Sequence, residues 1–162
     1  TQVGTPAGTL LTRLAGAAGA VPGALLYPGP RDLYTFELTE PKLLYLDALS
    51  STSLSWTLTS AASGTLVAAR SFTSTDSSDG LSVLNLGAGS YTLIFDMSGD
   101  EIGAYGFRLL DLGAATTLSP GTPGSPAPVT TLLDPAAETV AYRLNVTAGD
   151  RYFFDMQSAP QG

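Results

Sequence analysis

The chain has 162 residues with no His and no Cys, which removes the side chains on which most nucleophilic and zinc chemistry depends. A Ser-His-Asp relay has no base. A zinc site has neither imidazole nor thiolate. Lys42 is the single Lys, so a Ser-Lys pair would have to use it. It follows Pro41, where a hairpin turn is expected, and the plain reading is a solvated turn residue. Carboxylates remain. Calcium needs only oxygen ligands, and the local acidic groups are Asp76-Ser77-Ser78-Asp79 and Asp96 with Asp100-Glu101. Neither follows the EF-hand loop nor the Gly-rich Asp repeat of calcium-binding β-rolls. Spacing alone does not exclude a glycosidase carboxylate pair, but the chain lacks the long loops that usually build such a cleft. Trp56 and the seven Tyr could stack on sugar rings. However, Trp56 alternates in phase with Leu54 and Leu58, which places it in a core with its indole N–H needing a partner. Tyr34, Tyr91 and Tyr105 are in apolar register too. Asn145-Val146-Thr147 is an N-glycosylation sequon, expected within a strand.

The formal charge is −7, with seven basic residues. The basic residues are scattered, so the patch that attaches a protein to nucleic acid or an anionic membrane is missing. No apolar run approaches the ~20 residues that span a bilayer as a helix. Residues 10–26 are Ala/Gly-rich but broken by Arg13 and Pro22, and they lack the order of regions in a signal peptide. Any export signal is expected outside these residues. A Cys-free chain needs no particular redox compartment and is compatible with export. Hydrophobic residues at 44% against 13% charged exclude ordinary disorder.

Side chains of this kind must be carried on strands, because the apolar period is two rather than 3.6. Tyr34, Phe36 and Leu38 share one face. Leu44 and Leu46 alternate with Leu43, Tyr45 and Asp47. Leu54, Trp56 and Leu58 alternate with Ser55, Thr57 and Thr59. Ser63-Gly64 marks a turn into a partner strand starting at Thr65. Residues 73–80 read as a polar loop. Val83 and Asn85 alternate with Leu84 and Leu86, then Gly87-Ala88-Gly89 turns the chain into Tyr91, Leu93 and Phe95. Ser98-Gly99-Asp100 turns it again, before Tyr105, Phe107 and Leu109. Strands 8–12 residues apart with turn signals between them predict an all-β antiparallel sandwich or barrel.

The chain also begins to repeat itself. Tyr34-Thr35-Phe36-Glu37-Leu38-Thr39 and Leu43-Leu44-Tyr45-Leu46-Asp47 recur as Tyr142-Arg143-Leu144-Asn145-Val146-Thr147 and Arg151-Tyr152-Phe153-Phe154-Asp155, always 108 residues on. Thr9-Leu10 fall on Thr117-Leu118 at the same offset, and a one-residue gap brings Leu25-Leu26 onto Leu132-Leu133. A unit of domain size repeated in tandem indicates an array. Residues 121–128, Gly-Thr-Pro-Gly-Ser-Pro-Ala-Pro, read as a linker, since Pro fixes φ and lacks the N–H a sheet requires. The expected divisions are a leading segment 1–24 (the end of a linker, or an added strand), a sandwich 25–112, a linker 113–128, and residues 129–162 as the first strands of a second unit or an assembly tail.

Residues 32–110 resemble the bacterial pre-peptidase C-terminal domain. The resemblance rests on DLYTFELTEPKLLYLDAL, LSWTLTSAASGTLVA and LGAGSYTLIFDMSGDEIGAYGFRLL, with Ala88-Gly89-Ser90-Tyr91 and Gly103-Ala104-Tyr105-Gly106-Phe107 as the turn-strand and closing-strand motifs. It covers about half the chain and consists of turn and core patterns. It implies a jelly-roll-like β-sandwich on a secreted protein, beside a protease domain or as tandem units of a large surface protein. Some relatives in that family bind calcium near the first strand. That adds Asp32 and Asp47, which recurs as Asp155, with Glu138 nearby in the second unit, to Asp76, Asp79 and Asp100 as calcium candidates. The plain reading puts these carboxylates on exposed turns and edges, where they aid solubility and discourage edge pairing.

The sequence therefore leads to a non-catalytic structural repeat of an exported bacterial protein, extracellular or on the cell surface. It would be a spacer, adhesin stalk or fibre subunit, assembling by strand addition in the sharper version. Its partners would be neighbouring repeats or other copies of itself, with extracellular polysaccharide or protein as further partners and no nucleic acid. No cofactor is expected apart from calcium. The alternative is a carbohydrate- or protein-binding accessory module of a secreted hydrolase.

Overall fold

The computed structural model describes residues 21–25, 31–50, 53–72, 83–97, 99, 101–122, 125, 127–134 and 137–155. Among the described residues the chain forms ten strands: β1 Val21–Leu25, β2 Arg31–Leu38, β3 Lys42–Ala48, β4 Leu54–Ser60, β5 Gly64–Ser71, β6 Val83–Leu86, β7 Gly89–Met97, β8 Gly103–Asp111, β9 Thr116–Leu118 and β10 Tyr142–Leu144. The first eight make two antiparallel four-stranded sheets, ordered β1-β8-β3-β6 and β2-β7-β4-β5. Among these eight strands only β4 and β5 are consecutive neighbours within one sheet; every other connection between them crosses between sheets. These strand orders are those of an eight-stranded jelly roll, the form of β-sandwich built from two Greek keys.

Period-two patterning fixes which face of each strand looks inward. On β4 the burial alternates without a break from Leu54 to Ser60, and on β7 it alternates from Tyr91 to Met97. Register then stacks the inward residues: Phe36 opposite Tyr91, Tyr34 opposite Leu93, Trp56 opposite Phe95 and Leu58 opposite Leu93. Across the sandwich, Tyr34 meets Phe107 edge-on at 5.1 Å, and Phe95 lies 4.6 Å from Phe107. Such aromatic pairs add to their burial energy through quadrupole geometry. Trp56 is 1% exposed and belongs to the core, as its alternation with Leu54 and Leu58 predicts, and it is not placed to stack on a sugar. Its Nε1 finds no acceptor among the described residues, and the Arg70 guanidinium lies 5.2 Å from its ring centroid. Tyr34, Tyr91 and Tyr105 are core residues as well.

The turn at Ser63-Gly64 leads into β5 as expected, with Gly64 at φ 75°, a value that favours glycine. The hairpin expected at Pro41 does not form. β2 and β3 lie in different sheets, so Pro41 sits on a crossover and Lys42 opens β3. The loop at residues 73–80 lies outside the described residues.

Strands also overlap the expected segments 1–24, 113–128 and 129–162. Val21 to Ala24 pair with Phe107 to Ala104 of β8, so the end of the leading segment is a sandwich strand. Residues 113–128 contain β9, preceded by a 3₁₀ turn at Leu112–Ala114 that Asp111 caps through the Gly113 N–H. Beyond them, β10 pairs in parallel with β9. Residues 151–155, the counterparts of β3, are not in a strand. No helix among the described residues is long and apolar enough to cross a membrane.

Candidate functional site

Strand β3 breaks the rule that a sandwich strand buries one face. Leu44, Leu46 and Ala48 point into the core, yet Tyr45 and Asp47, on the opposite face, are also buried. Glu138 and Thr139 supply part of the cover. They arrive on the outer face of the β1-β8-β3-β6 sheet after the linker, just ahead of β10.

A cluster of charges holds them there. Asp47 is 0% exposed, and in the sheet it lies opposite Arg108 of β8. Arg108 Nε donates to Asp47 Oδ2 at 2.9 Å, and Nη2 donates to the same oxygen. The Thr139 N–H reaches both Asp47 oxygens, at 3.2 and 3.3 Å. Arg108 also donates to Glu138 Oε1 through Nη1 and to the Thr139 carbonyl through Nη2 at 2.9 Å. Glu138 Oε2 accepts the Asp134 N–H at 2.9 Å. One guanidinium thus bridges a carboxylate of the sandwich to a carboxylate and a carbonyl of the following segment, using the planar fork that lysine lacks. Burial lowers the pKa of Arg108, but Asp47 and Glu138 outweigh it and the net shift is upward. The Asp134 N–H, followed by the Arg108 guanidinium, holds the Glu138 carboxyl below its ordinary value.

The docked segment is also clamped further along. Arg143 of β10 donates to the Gly113 carbonyl at 2.8 Å and to Thr117 Oγ1 at 3.2 Å. These bonds fix the parallel β9–β10 pair at the end of the sandwich.

The calcium candidates fall into three groups. Asp47 belongs to the ion cluster, with its oxygens taken by donors; the expectation of an exposed turn or edge is wrong for it, because β3 is an interior strand covered on both faces. Asp32 stands on β2 in the other sheet, where it accepts the Tyr105 hydroxyl at 2.6 Å. The Tyr34 and Tyr105 hydroxyls are 3.0 Å apart. Tyr105 gives its one proton to Asp32, so Tyr34 donates to Tyr105. Desolvation is the main cause raising the pKa of both tyrosines, and the Asp32 hydrogen bond adds to it for Tyr105. Asp76, Asp79 and Asp100 lie outside the described residues. Among the described residues, no three His, Cys, Asp or Glu side chains gather in a group able to hold a metal ion.

Lys42 bonds to Glu40 at 2.7 Å and to Asp111 at 3.2 Å. Those carboxylates, Glu40 first, raise its pKa, whereas a lysine base is activated by lowering it. Asp96 is engaged by Arg31 at 2.8 Å. Asn145 of the sequon lies just beyond β10 and is exposed, rather than within a strand. Reasoning from the sequence missed Arg108 and Thr139. Asp47, set between Leu46 and Ala48 and recurring as Asp155, was the available signal for a buried acid that needs a partner.

Chemically, this arrangement joins two chain segments. Its acceptors are filled by internal donors, and its cation is held by two acids.

No protein-family model matches the chain, and no curated protein matches it. Among solved structures it is similar to a Salmonella Typhimurium protein, PliG, described as a periplasmic lysozyme inhibitor of g-type lysozyme. The identity is 16% and the TM-score 0.44, over 57% of this chain and 89% of that one.

Proposed function

We propose that the chain is a non-catalytic structural repeat of an exported bacterial surface or extracellular protein, serving as a spacer, stalk or fibre unit. The observation that supports this reading is the attachment of the segment after the sandwich to the sandwich itself. The segment leading into the second copy of the 108-residue pattern is bound to the sandwich through the partly buried Asp47–Arg108–Glu138 cluster. A joint of that kind gives successive units a fixed relation, which a spacer needs and a free enzyme domain does not. The resemblance of residues 32–110 to the pre-peptidase C-terminal domain supports the same setting. The jelly-roll topology agrees with the fold that the resemblance implies.

Sequencing the complete coding region tests the proposal. Further in-frame copies of the 108-residue unit are expected. A single unit next to a hydrolase domain would refute it in favour of an accessory binding module. Assembly by strand addition is tested by deleting residues 129–162: oligomer size on a sizing column should fall, and an unchanged size removes that part of the reading.

A further inference from the structure

The sequon Asn145-Val146-Thr147 is a motif that the repeat reading leaves unused. The chain has two Asn. Asn85 is followed by Leu86-Gly87 and lies within β6, so only Asn145 has a hydroxyl residue two positions on. Strand β10 ends at Leu144 beside β9, held there by the bonds of Arg143 to Gly113 and Thr117. On the far side the Thr147 carbonyl accepts the Asp150 N–H at 3.1 Å, with Gly149 at φ 93°. The tripeptide therefore stands between an anchored strand and a tight turn, and residues 145–150 are all exposed. Among the described residues no side-chain hydrogen bond engages the Asn145 amide or the Thr147 hydroxyl.

We propose that Asn145 is the acceptor of an N-linked glycan, transferred from a glycosyl diphosphate donor. In that transfer the Asn145 Nδ2 bonds to the anomeric carbon, and the bond from that carbon to the diphosphate oxygen breaks. The diphosphate leaves with the electron pair, and one amide proton passes to a base of the transferase. An amide nitrogen is a poor nucleophile because its lone pair is delocalised, so a transferase has to grip both the amide and the hydroxyl of the sequon. Here both groups keep their donors and acceptors for it, and an exposed position is the context the motif requires. The first copy of the pattern supplies a second argument, and it is the one point that rests on the repeat reading. At the 108-residue offset Asn145 falls on Glu37 and Val146 on Leu38. Glu37 is exposed on β2, opposite Ser90, while Leu38 is 4% exposed. In a strand of this kind the acceptor position faces water and the middle residue faces the core. A sugar at Asn145 thus fits the observed conformation and the sandwich conformation of the same pattern.

The test uses the full chain isolated from the cells that naturally make it, with the tryptic peptide Leu144–Arg151 read by mass spectrometry. Increments of hexose or N-acetylhexosamine are expected on that peptide. They should vanish with Asn145→Gln and with Thr147→Ala, and persist with Thr147→Ser. Residues 145 and 147 are exposed, so the urea midpoint of all three variants should stay unchanged, which separates a lost acceptor from a lost fold. The source of the donor is read by giving the unmodified folded chain either the membrane fraction of those cells, with its lipid-linked sugars, or their soluble fraction with UDP-glucose. Addition in one arm is expected and assigns the donor to that source. An unmodified peptide, a sugar that survives Asn145→Gln, or addition only after urea has unfolded the chain would each overturn the inference. None of those results alters the count of units in the coding region, so the repeat reading stands or falls separately.

Discussion

Substituting Asp47 by Ala should loosen the joint and destabilise the whole chain. Asp47 is fully buried, and it accepts two bonds from Arg108 and the N–H of Thr139. Its loss leaves the Thr139 N–H without its acceptor and the Arg108 head, 13% exposed, with Glu138 as its remaining carboxylate. Breaking a buried ion pair from one side costs about 3–5 kcal/mol, chiefly because the other charge stays buried. Glu138 still neutralises part of that charge, so the lower end, about 3 kcal/mol, is expected. For a chain of this size that lowers Tm by roughly 6–12 °C. Equilibrium urea unfolding followed by Trp56 fluorescence measures it, with the m-value held constant to exclude a change of denatured state. The double variant Asp47→Leu/Arg108→Met, which removes both charges and fills their space, should recover most of the loss. A loss under about 1 kcal/mol for Asp47→Ala would place the cluster among screened surface pairs. A double variant as unstable as the single one would show that the charges themselves stabilise the joint. Either result would refute the reasoning.

Three other outcomes are expected. Tyr34 and Tyr105 have pKa values raised from 10.0, so their contribution is complete below that pH and is lost as pH rises through the folded values. Stability should then fall as pH rises above that value, by up to about 1.4 kcal/mol per pH unit for Tyr105, and tyrosinate absorbance should show the Tyr105 ionisation delayed beyond the ordinary range. Glu138 has a pKa lowered from 4.5, so its hold on the docked segment is complete above that value and lost as pH falls through the folded one; amide exchange at Thr139 should accelerate on acidification, and Glu138→Gln should remove the dependence. Ala69 has φ 41°, a left-handed conformation that penalises a β-carbon, so Ala69→Gly should stabilise by about 0.5–1 kcal/mol in thermal melts.

Much of the sandwich was readable because alternation is a local signal with a single physical meaning. Leu54, Trp56 and Leu58 had to share a face, and Tyr91, Leu93 and Phe95 likewise. Sheet membership was not readable in the same way. Pro41 signals a change of direction, but a hairpin and a crossover begin with the same residues, and only the packing of both sheets decides between them. The joint was the least readable part. Asp47 and Arg108 stand 61 residues apart and Asp47 and Thr139 stand 92 apart, so no local pattern connects them. Duplication was the one clue, since an acid kept at the same phase of two apolar strands has a reason beyond solubility. It was nevertheless read as a metal ligand or a solvated edge, because its cationic partner lies on a strand whose register the sequence does not specify.

Strands β9 and β10 run parallel, with Thr116 beside Tyr142 and Leu118 beside Leu144. That direction has a mechanical meaning. Tension entering ahead of β9 and leaving beyond β10 pulls the two strands past each other along their length. Their hydrogen bonds are then loaded together in shear instead of parting one by one from an end. When this clasp of two strands slips, the load passes to the Asp47–Arg108–Glu138 cluster, which still holds Glu138 and Thr139 to the sandwich, and the chain freed between Leu118 and that anchor extends by at most roughly 66 Å, at about 3.3 Å per residue. A row of such units would extend in steps of that length before any sandwich opened, and would absorb a sudden pull without losing its cores.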